Sequence, residues 1–280
     1  MKERIPLGFI ELDSGVKPVY TLYDFFLNFT FRKEENWEVL RLIVNILLDA
    51  YMKQCPDTVV TLIEDEIHVT TQFEQYLDNL TQPKVQDVRL KEINIRKLTF
   101  LEVQNSAYTD PPVEVRATDY SVLAISQNPG KVSNQIWLLA EDVKKLLPGG
   151  AFSNYVPKDE ATGEVYPNAS GIMFISLRRL SRENTTAGEL ASFLLGKTNS
   201  IKNDEVRRIA DTLTRSCEEF CMDKGVKKSM SVADKLKQEG KAEGKTEGAL
   251  ELAGLLKAGM TLDEALQTLN IETAAPSRND

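Results

Sequence analysis

Apolar side chains between residues 34 and 51 recur every three to four positions: Trp37, Leu40, Ile43 with Val44, Leu47 with Leu48, and Tyr51. Glu34, Glu38, Arg41, Asn45 and Asp49 form the opposite stripe. This spacing predicts an amphipathic helix, ended by Cys55-Pro56. The aromatic-rich run YTLYDFFLNFTF (20–31) leads into it. Beyond the helix the pattern changes, and DTVVTLIEDEI (57–67), VQDVRL (85–90) and LTFLEVQ (98–104) read as strands. The short polar link KEINIRK joins the last two, and Pro111-Pro112 then breaks the chain. VEVRATDYSVLAIS (113–126) predicts a helix, although its β-branched residues weaken that propensity. NQIWLLA (134–140) and GIMFISL (171–177) are near-continuous apolar runs, the signature of buried strands. Between them YVPKDEATGEVYP predicts a hairpin turning near Thr162-Gly163.

AGELASFLLG (187–196) reads as a short helix and residues 203–225 as a long one. Asn203 is its expected N-cap, acids follow, and Gly225 is its expected C-terminal stop. Near residue 229 the composition shifts. Glu239, Glu243 and Glu247, Gly240, Gly244 and Gly248, and Lys237, Lys241 and Lys245 form a four-residue repeat. At that period like charges stack on one helix face, and each glycine costs about 0.8–1.0 kcal/mol relative to alanine. An isolated helix there is marginal, so the repeat is either a frayed, solvated arm or a helix completed by a partner. The segment from Leu250 to Ile271 is better formed, with Gly259 ending one helix and Thr261 with Glu264 capping the next. Two units are expected: 1–228, and 229–280 as a repeat helix with a terminal helical hairpin. The hairpin's leucines point to self-association through the tail.

Composition removes several classes. Net charge is −8 and pI about 5.0, so the whole-chain basic footprint of many nucleic-acid binders is missing. No apolar run reaches membrane-spanning length, and MKERIPLGFIELD has no apolar core of a signal peptide. Three cysteines, Cys55, Cys217 and Cys221, fit a reduced cytoplasmic compartment. Cys217 and Cys221 are one helical turn apart and read as packing rather than as a metal pair. The one histidine, His68, excludes multi-histidine zinc sites and reads as a packed or exposed side chain.

LTFLEVQNS (98–106) carries the chemistry. Glu102 and Gln104 are two residues apart on a strand, so they share a face with Leu98 and Phe100, while Leu101 and Val103 take the other. A carboxylate inside such a strand is costly without a partner. Asp87 lies on the preceding candidate strand. Paired in a hairpin, Asp87 and Glu102 would raise each other's pKa, and a shared divalent cation would reverse that penalty. Mg²⁺ needs only one or two carboxylates.

Asp87 followed by Glu102-Val103-Gln104 resembles the PD-(D/E)XK nuclease signature, in the variant with glutamine at the lysine position found in the recombination-promoting nuclease (Rpn), transposase-type family. The likeness extends along the chain in a common order. It takes in YDFFLNFTF before the first long helix, Arg116 and Tyr120 as an R-x-x-x-Y helix, NQIWLLAEDV, ATGEVYPNASGIMFISL, and EGKAEGKTEG with LLKAGMTLDEALQTLNI. Gln86 stands where the family has proline, and Leu27 where it often has lysine.

The resemblance implies an α/β restriction-endonuclease-like fold: an α-β-β-β-α-β core, a mixed sheet flanked by helices, and a helical C-terminal tail. It implies Mg²⁺-dependent, or other divalent-cation-dependent, hydrolysis of phosphodiesters in double-stranded DNA. Asp87 and Glu102 would hold the metal, with the Val103 carbonyl as a third ligand and Gln104 in the lysine position. Asp24, Arg116 and Tyr120 are auxiliary candidates. Asp24 reads equally as an N-cap or exposed turn residue. Arg116 reads equally as a phosphate ligand or as a partner of Asp119 or Glu114. LRRLSR (177–182) could meet a DNA backbone or form a solvated charge cluster. Because glutamine carries no charge, a weakly active or inactive nuclease-fold module for binding DNA or protein is the alternative to a working endonuclease. A DDE-type transposase would need a third downstream acid that nothing in the chain marks.

Overall fold

The strand bearing Glu102 and Gln104 lies inside a six-stranded mixed sheet. The computed structural model describes residues 4–56, 58, 60–64, 67–71, 88–92, 97–106, 111–127, 132–165, 170–231, 234, 254–255 and 260–261. The sheet strands are β3 (Ile67–Thr71), β4 (Val88–Glu92), β5 (Lys97–Gln104), β6 (Val132–Leu139), β7 (Phe152–Tyr155) and β8 (Ile172–Ser176). Their order is β3-β4-β5-β6-β8-β7. β4 runs antiparallel to both β3 and β5, β5, β6 and β8 run parallel, and β7 closes the far edge antiparallel to β8. Helices α1 (Asp24–Phe31), α2 (Trp37–Gln54), α3 (Val113–Gln127), α4 (Leu177–Leu180), α5 (Thr186–Leu194) and α6 (Asp204–Met222) accompany it. The molecule is therefore α/β, a mixed sheet flanked by helices. Among the described residues no helix is long and apolar enough to cross a membrane.

The two faces of β5 bury different things. Leu101 and Val103 pack with Leu22, Leu27, Phe31 and Ile43 beneath α1 and α2. Leu98 and Phe100 form a buried cluster with Ala124 of α3. Glu102 and Gln104 continue that second face, under α3. Helix α1 explains why no helical stripe is visible in the aromatic run. Phe25 through Phe31 are all buried, because a helix enclosed on every side needs no polar face. Phe25, Phe26 and Phe29 meet Phe220 of α6 edge-on, at 5.8, 5.5 and 5.3 Å between ring centroids.

Several expectations are corrected. The strand expected over 57–67 begins only at Ile67; Thr58 and residues 60–64 are irregular. Asn45 of α2 takes the place of a neighbouring strand. Its Oδ1 accepts from Ile63 N at 2.8 Å and its Nδ2 donates to Ile63 O at 2.9 Å. Gly225 does not end α6. Asp223 breaks the helix with extended backbone, and its Oδ1 accepts from Val226 N to start a further helical stretch over 224–231. Within 177–182, Leu177–Leu180 form the single turn α4, in which Arg179 is drawn inward to Asp142 and the carbonyls of Leu147 and Gly150. Edge strand β7 and an N-terminal hairpin of β1 (Gly8–Leu12) and β2 (Gly15–Val19) were not foreseen. Gly15, at φ 114°, turns that hairpin. Of the hairpin expected over 155–167, the described residues reach 165, and among them Lys158 bridges to Val165 around Gly163 at φ 73°.

The chain divides into two compact units, Met1–Ser229 and Met230–Asp280. The repeat over 237–248 and most of the terminal hairpin lie outside the described residues.

Candidate active site

Glu102 is 2% exposed and Gln104 7% exposed. Parallel pairing sets Glu102 opposite Trp137 and Gln104 opposite Leu139 of β6. Gln104 Oε1 accepts from Arg116 Nη1 at 2.6 Å, and Gln104 Nε2 donates to the Ser106 carbonyl at 2.9 Å. The carboxamide is thus oriented from both ends. Arg116 belongs to the first turn of α3, which begins at Val113 directly after the proline pair, and its N–H donates to the Pro112 carbonyl. Its guanidinium lies over two aromatic rings, 5.8 Å from Tyr120 and 5.5 Å from Trp137. Tyr120, one turn along α3, packs on Trp137 with centroids 5.7 Å apart. The i,i+4 spacing of Arg116 and Tyr120 therefore has a physical use: one residue is the flat support of the other.

Asp24 approaches from the opposite helix layer. It is the first residue of α1, and Tyr23 is the N-cap, without a side-chain capping bond. The capping role is therefore not the one Asp24 takes. The link between the layers is Asn105, which follows β5 and donates to the Leu22 carbonyl at 2.6 Å. Burial raises the Asp24 carboxyl to about 6, partly opposed by the Arg116 guanidinium. Its Oδ1 is buried with no hydrogen-bond partner among the described residues. Of the protein partners expected for Arg116, Glu114 and Asp119, neither is the one it meets among the described residues; it bonds to Gln104 and places its charge near Asp24.

Asp87 lies outside the described residues, so its placement relative to Glu102 is not described. Val88, the next residue, pairs with Leu101. The Gln104 carbonyl accepts from Ala140 on the β6 side. Carbonyls alternate along a strand, so the Val103 carbonyl points to the β4 side. Among the described residues no three His, Cys, Asp or Glu side chains gather as a metal-holding group. The donors that do occur here, the Glu102 carboxylate, the buried Asp24 oxygen and the Val103 carbonyl, are hard oxygens of the kind Mg²⁺ takes. In that chemical sense the residues fit a hard divalent cation.

His68 is exposed and packs edge-on to Trp37 at 5.0 Å, as a surface side chain of β3. Cys217 is buried, and Cys221 Sγ lies 3.9 Å from its sulfur. Burial pushes the Cys217 thiol up to about 12, which suits packing and not nucleophilic chemistry. Comparison with protein-family models, with curated proteins and with solved structures gave no match.

Proposed function

We propose that the chain is a divalent-cation-dependent endonuclease of the PD-(D/E)XK, recombination-promoting transposase type, hydrolysing phosphodiesters of double-stranded DNA. One observation carries the reading: a glutamate buried on an interior strand, followed two residues later by a buried amide that receives an arginine. A carboxylate so deep is sustained only by hydrogen bonds or a cation. The order α2-β3-β4-β5-α3-β6 supports the reading, because it runs as the α-β-β-β-α-β core that the resemblance implies.

Glu102, the Val103 carbonyl and Asp87 would hold the cation. Asp87 is covalently next to the residue that pairs with Leu101. A bound Mg²⁺ supplies positive charge to the phosphate and makes water a better nucleophile at neutral pH. Gln104 lacks the charge of the usual lysine, and the Arg116 guanidinium bonded to it brings that charge back to the same place. There it can stabilise negative charge developing on the phosphate. The Tyr120 and Trp137 rings hold the guanidinium plane, which keeps its fork pre-organised. Asp24 offers a further carboxylate at this end of the sheet. The same proposal takes a second copy of the chain, meeting through the tail, as a partner.

The test is nicking of supercoiled plasmid. The wild-type chain is expected to nick with Mg²⁺ or Mn²⁺ and not with EDTA. Glu102→Ala and Asp87→Ala should abolish nicking with the circular dichroism unchanged. Arg116→Ala should lower it by about 10²-fold, the usual loss for one transition-state donor. Undiminished nicking by Glu102→Ala would sink the assignment. One observation favours the alternative, an inactive DNA- or protein-binding module. Gln104 is already engaged at both ends, by Arg116 and by Ser106, leaving one N–H and one lone pair to orient a water. Duplex binding without nicking under every divalent cation would select it.

A further inference from the structure

Arg4, Arg178, Arg182 and Lys197 converge from three stretches of chain. Lys197 Nζ donates to Ser181 Oγ at 2.6 Å, and Ser181 Oγ donates to the Arg178 carbonyl at 3.0 Å. Arg182 follows directly. Ile5 N donates to the Gly196 carbonyl at 2.7 Å, which brings Arg4 beside Lys197. Gly196 permits this approach: it sits at φ 62°, and a Cβ there would lie 2.6 Å from the Ile5 carbonyl oxygen. Arg178, Arg182 and Lys197 are exposed.

This cluster differs from an ordinary solvated surface, where opposite charges interleave. Among the described residues none of the four has an ion pair. The adjacent acids are taken. Asp142 binds Arg179 and the Ser176 hydroxyl, and Glu183 accepts from Gln54. Partial burial, then Arg182, Arg178 and Arg4, hold the Lys197 ammonium below its usual range. A chain of net charge −8 thus concentrates like charge at one place, and the Asp142 carboxylate offsets it only in part at Lys197.

The place is informative. Strand β5 ends at Gln104, which pairs with Leu139 of β6, and Leu139 pairs with Ser176 of β8. All three strands run parallel, so α4 begins on the same edge of the sheet at which the Gln104–Arg116 pair stands. Two strand spacings separate them, about 10 Å. That is about three rises of a DNA duplex.

We propose that Arg4, Arg178, Arg182 and Lys197 bind the phosphate backbone of duplex DNA and hold it across the carboxyl ends of β5, β6 and β8. The choice of DNA rests on the hydrolase reading above; the patch itself does not. Phosphate contacts of this kind position a duplex without reading its sequence.

The experiment measures anisotropy of a labelled duplex with the full-length chain in EDTA, across a salt series. Alongside it run plasmid nicking with Mg²⁺ and flotation on phosphatidylserine vesicles. For R178A/R182A/K197A the slope of log K against log salt should fall by about 3, and binding at about 0.1 M salt should weaken by about 10²-fold. The control variant K53A/K228A removes two exposed charges elsewhere and should change affinity far less. If the triple variant loses its circular dichroism, R178A and R182A singly should each lower the slope by about 1. Affinity equal to wild type in the triple variant, or in both singles, overturns the patch; wild-type nicking in the same preparation then leaves the hydrolase reading standing. An equal loss in K53A/K228A also overturns it, as does patch-dependent retention on vesicles without duplex binding. Neither duplex binding nor nicking by wild type defeats both readings together.

Discussion

The residue that most changes the view of the site is Asp24. Its carboxyl is raised from 3.8 to about 6 chiefly because burial disfavours the charge, and Arg116 recovers only part of the cost. A carboxyl whose folded pKa lies above its unfolded value binds its proton more tightly when folded. Its contribution to stability is therefore complete below pH about 4 and is lost as pH rises through about 6. At neutral pH the cost is on the order of 2 kcal/mol, with partial exposure allowed for. Asp24→Asn removes the ionisation. In the metal-free protein it should be more stable than wild type by about 1–2 kcal/mol at pH 7 and equal to it below pH 4. Urea titrations at several pH values check this, and a stability difference independent of pH would reject it. Nothing in the sequence announced this strain, because it depends on which helix layer closes over the carboxyl. Glu102 and Gln104 were legible for the opposite reason: alternation along one strand, with apolar residues on both faces, suffices to show polar groups where core is due. The Arg116–Gln104 bond was not, since a local reading offers Glu114 and Asp119 first.

At the scale of elements, errors fall where a side chain replaces backbone pairing. The run 57–67 has the β-branched content of a strand, yet Asn45 of α2 satisfies Ile63 on both its N–H and its carbonyl. Ile63 is 1% exposed, so its backbone groups have little water to turn to. Asn45→Ala should cost about 2–3 kcal/mol, the penalty for leaving buried backbone groups unmet, against under about 0.5 kcal/mol for an ordinary surface change. Chemical denaturation measures the difference, and a cost below 0.5 kcal/mol would mean that water replaces the amide. Long periodic helices were read more securely. Asn203 accepts from the Glu205 and Val206 amides, as its N-cap position requires. The end of α6 was misread because glycine is a frequent stop but not an obligatory one; Asp223 turns the chain and caps the next helical stretch at once.

On the scale of the molecule, the buried runs NQIWLLA and GIMFISL announced strands covered on both faces, but not that β5, β6 and β8 would lie parallel with β7 outermost. Strand order is a matter of long-range pairing and leaves little local trace. The unit Met1–Ser229 is closed near its end by buried Val226, with Ser229 also buried. A chain stopped at Ser229 therefore keeps the residues that seal its core, and it is expected to unfold cooperatively with the same denaturant slope per exposed surface. The tail has the contrary problem. In the sequence Leu252, Leu255, Leu256, Leu262, Leu266 and Leu269 recur at helical spacing, an apolar set that a segment of about twenty residues cannot bury alone, while glycines spaced as in the repeat would allow helices to approach closely. A second copy of the tail offers the matching stripe. Full-length protein should therefore sediment as an oligomer whose population rises with concentration, and the chain ending at Ser229 as a monomer. Monomers in both, at the highest attainable concentration, would defeat self-association. An oligomer in both would move the interface to the α/β unit.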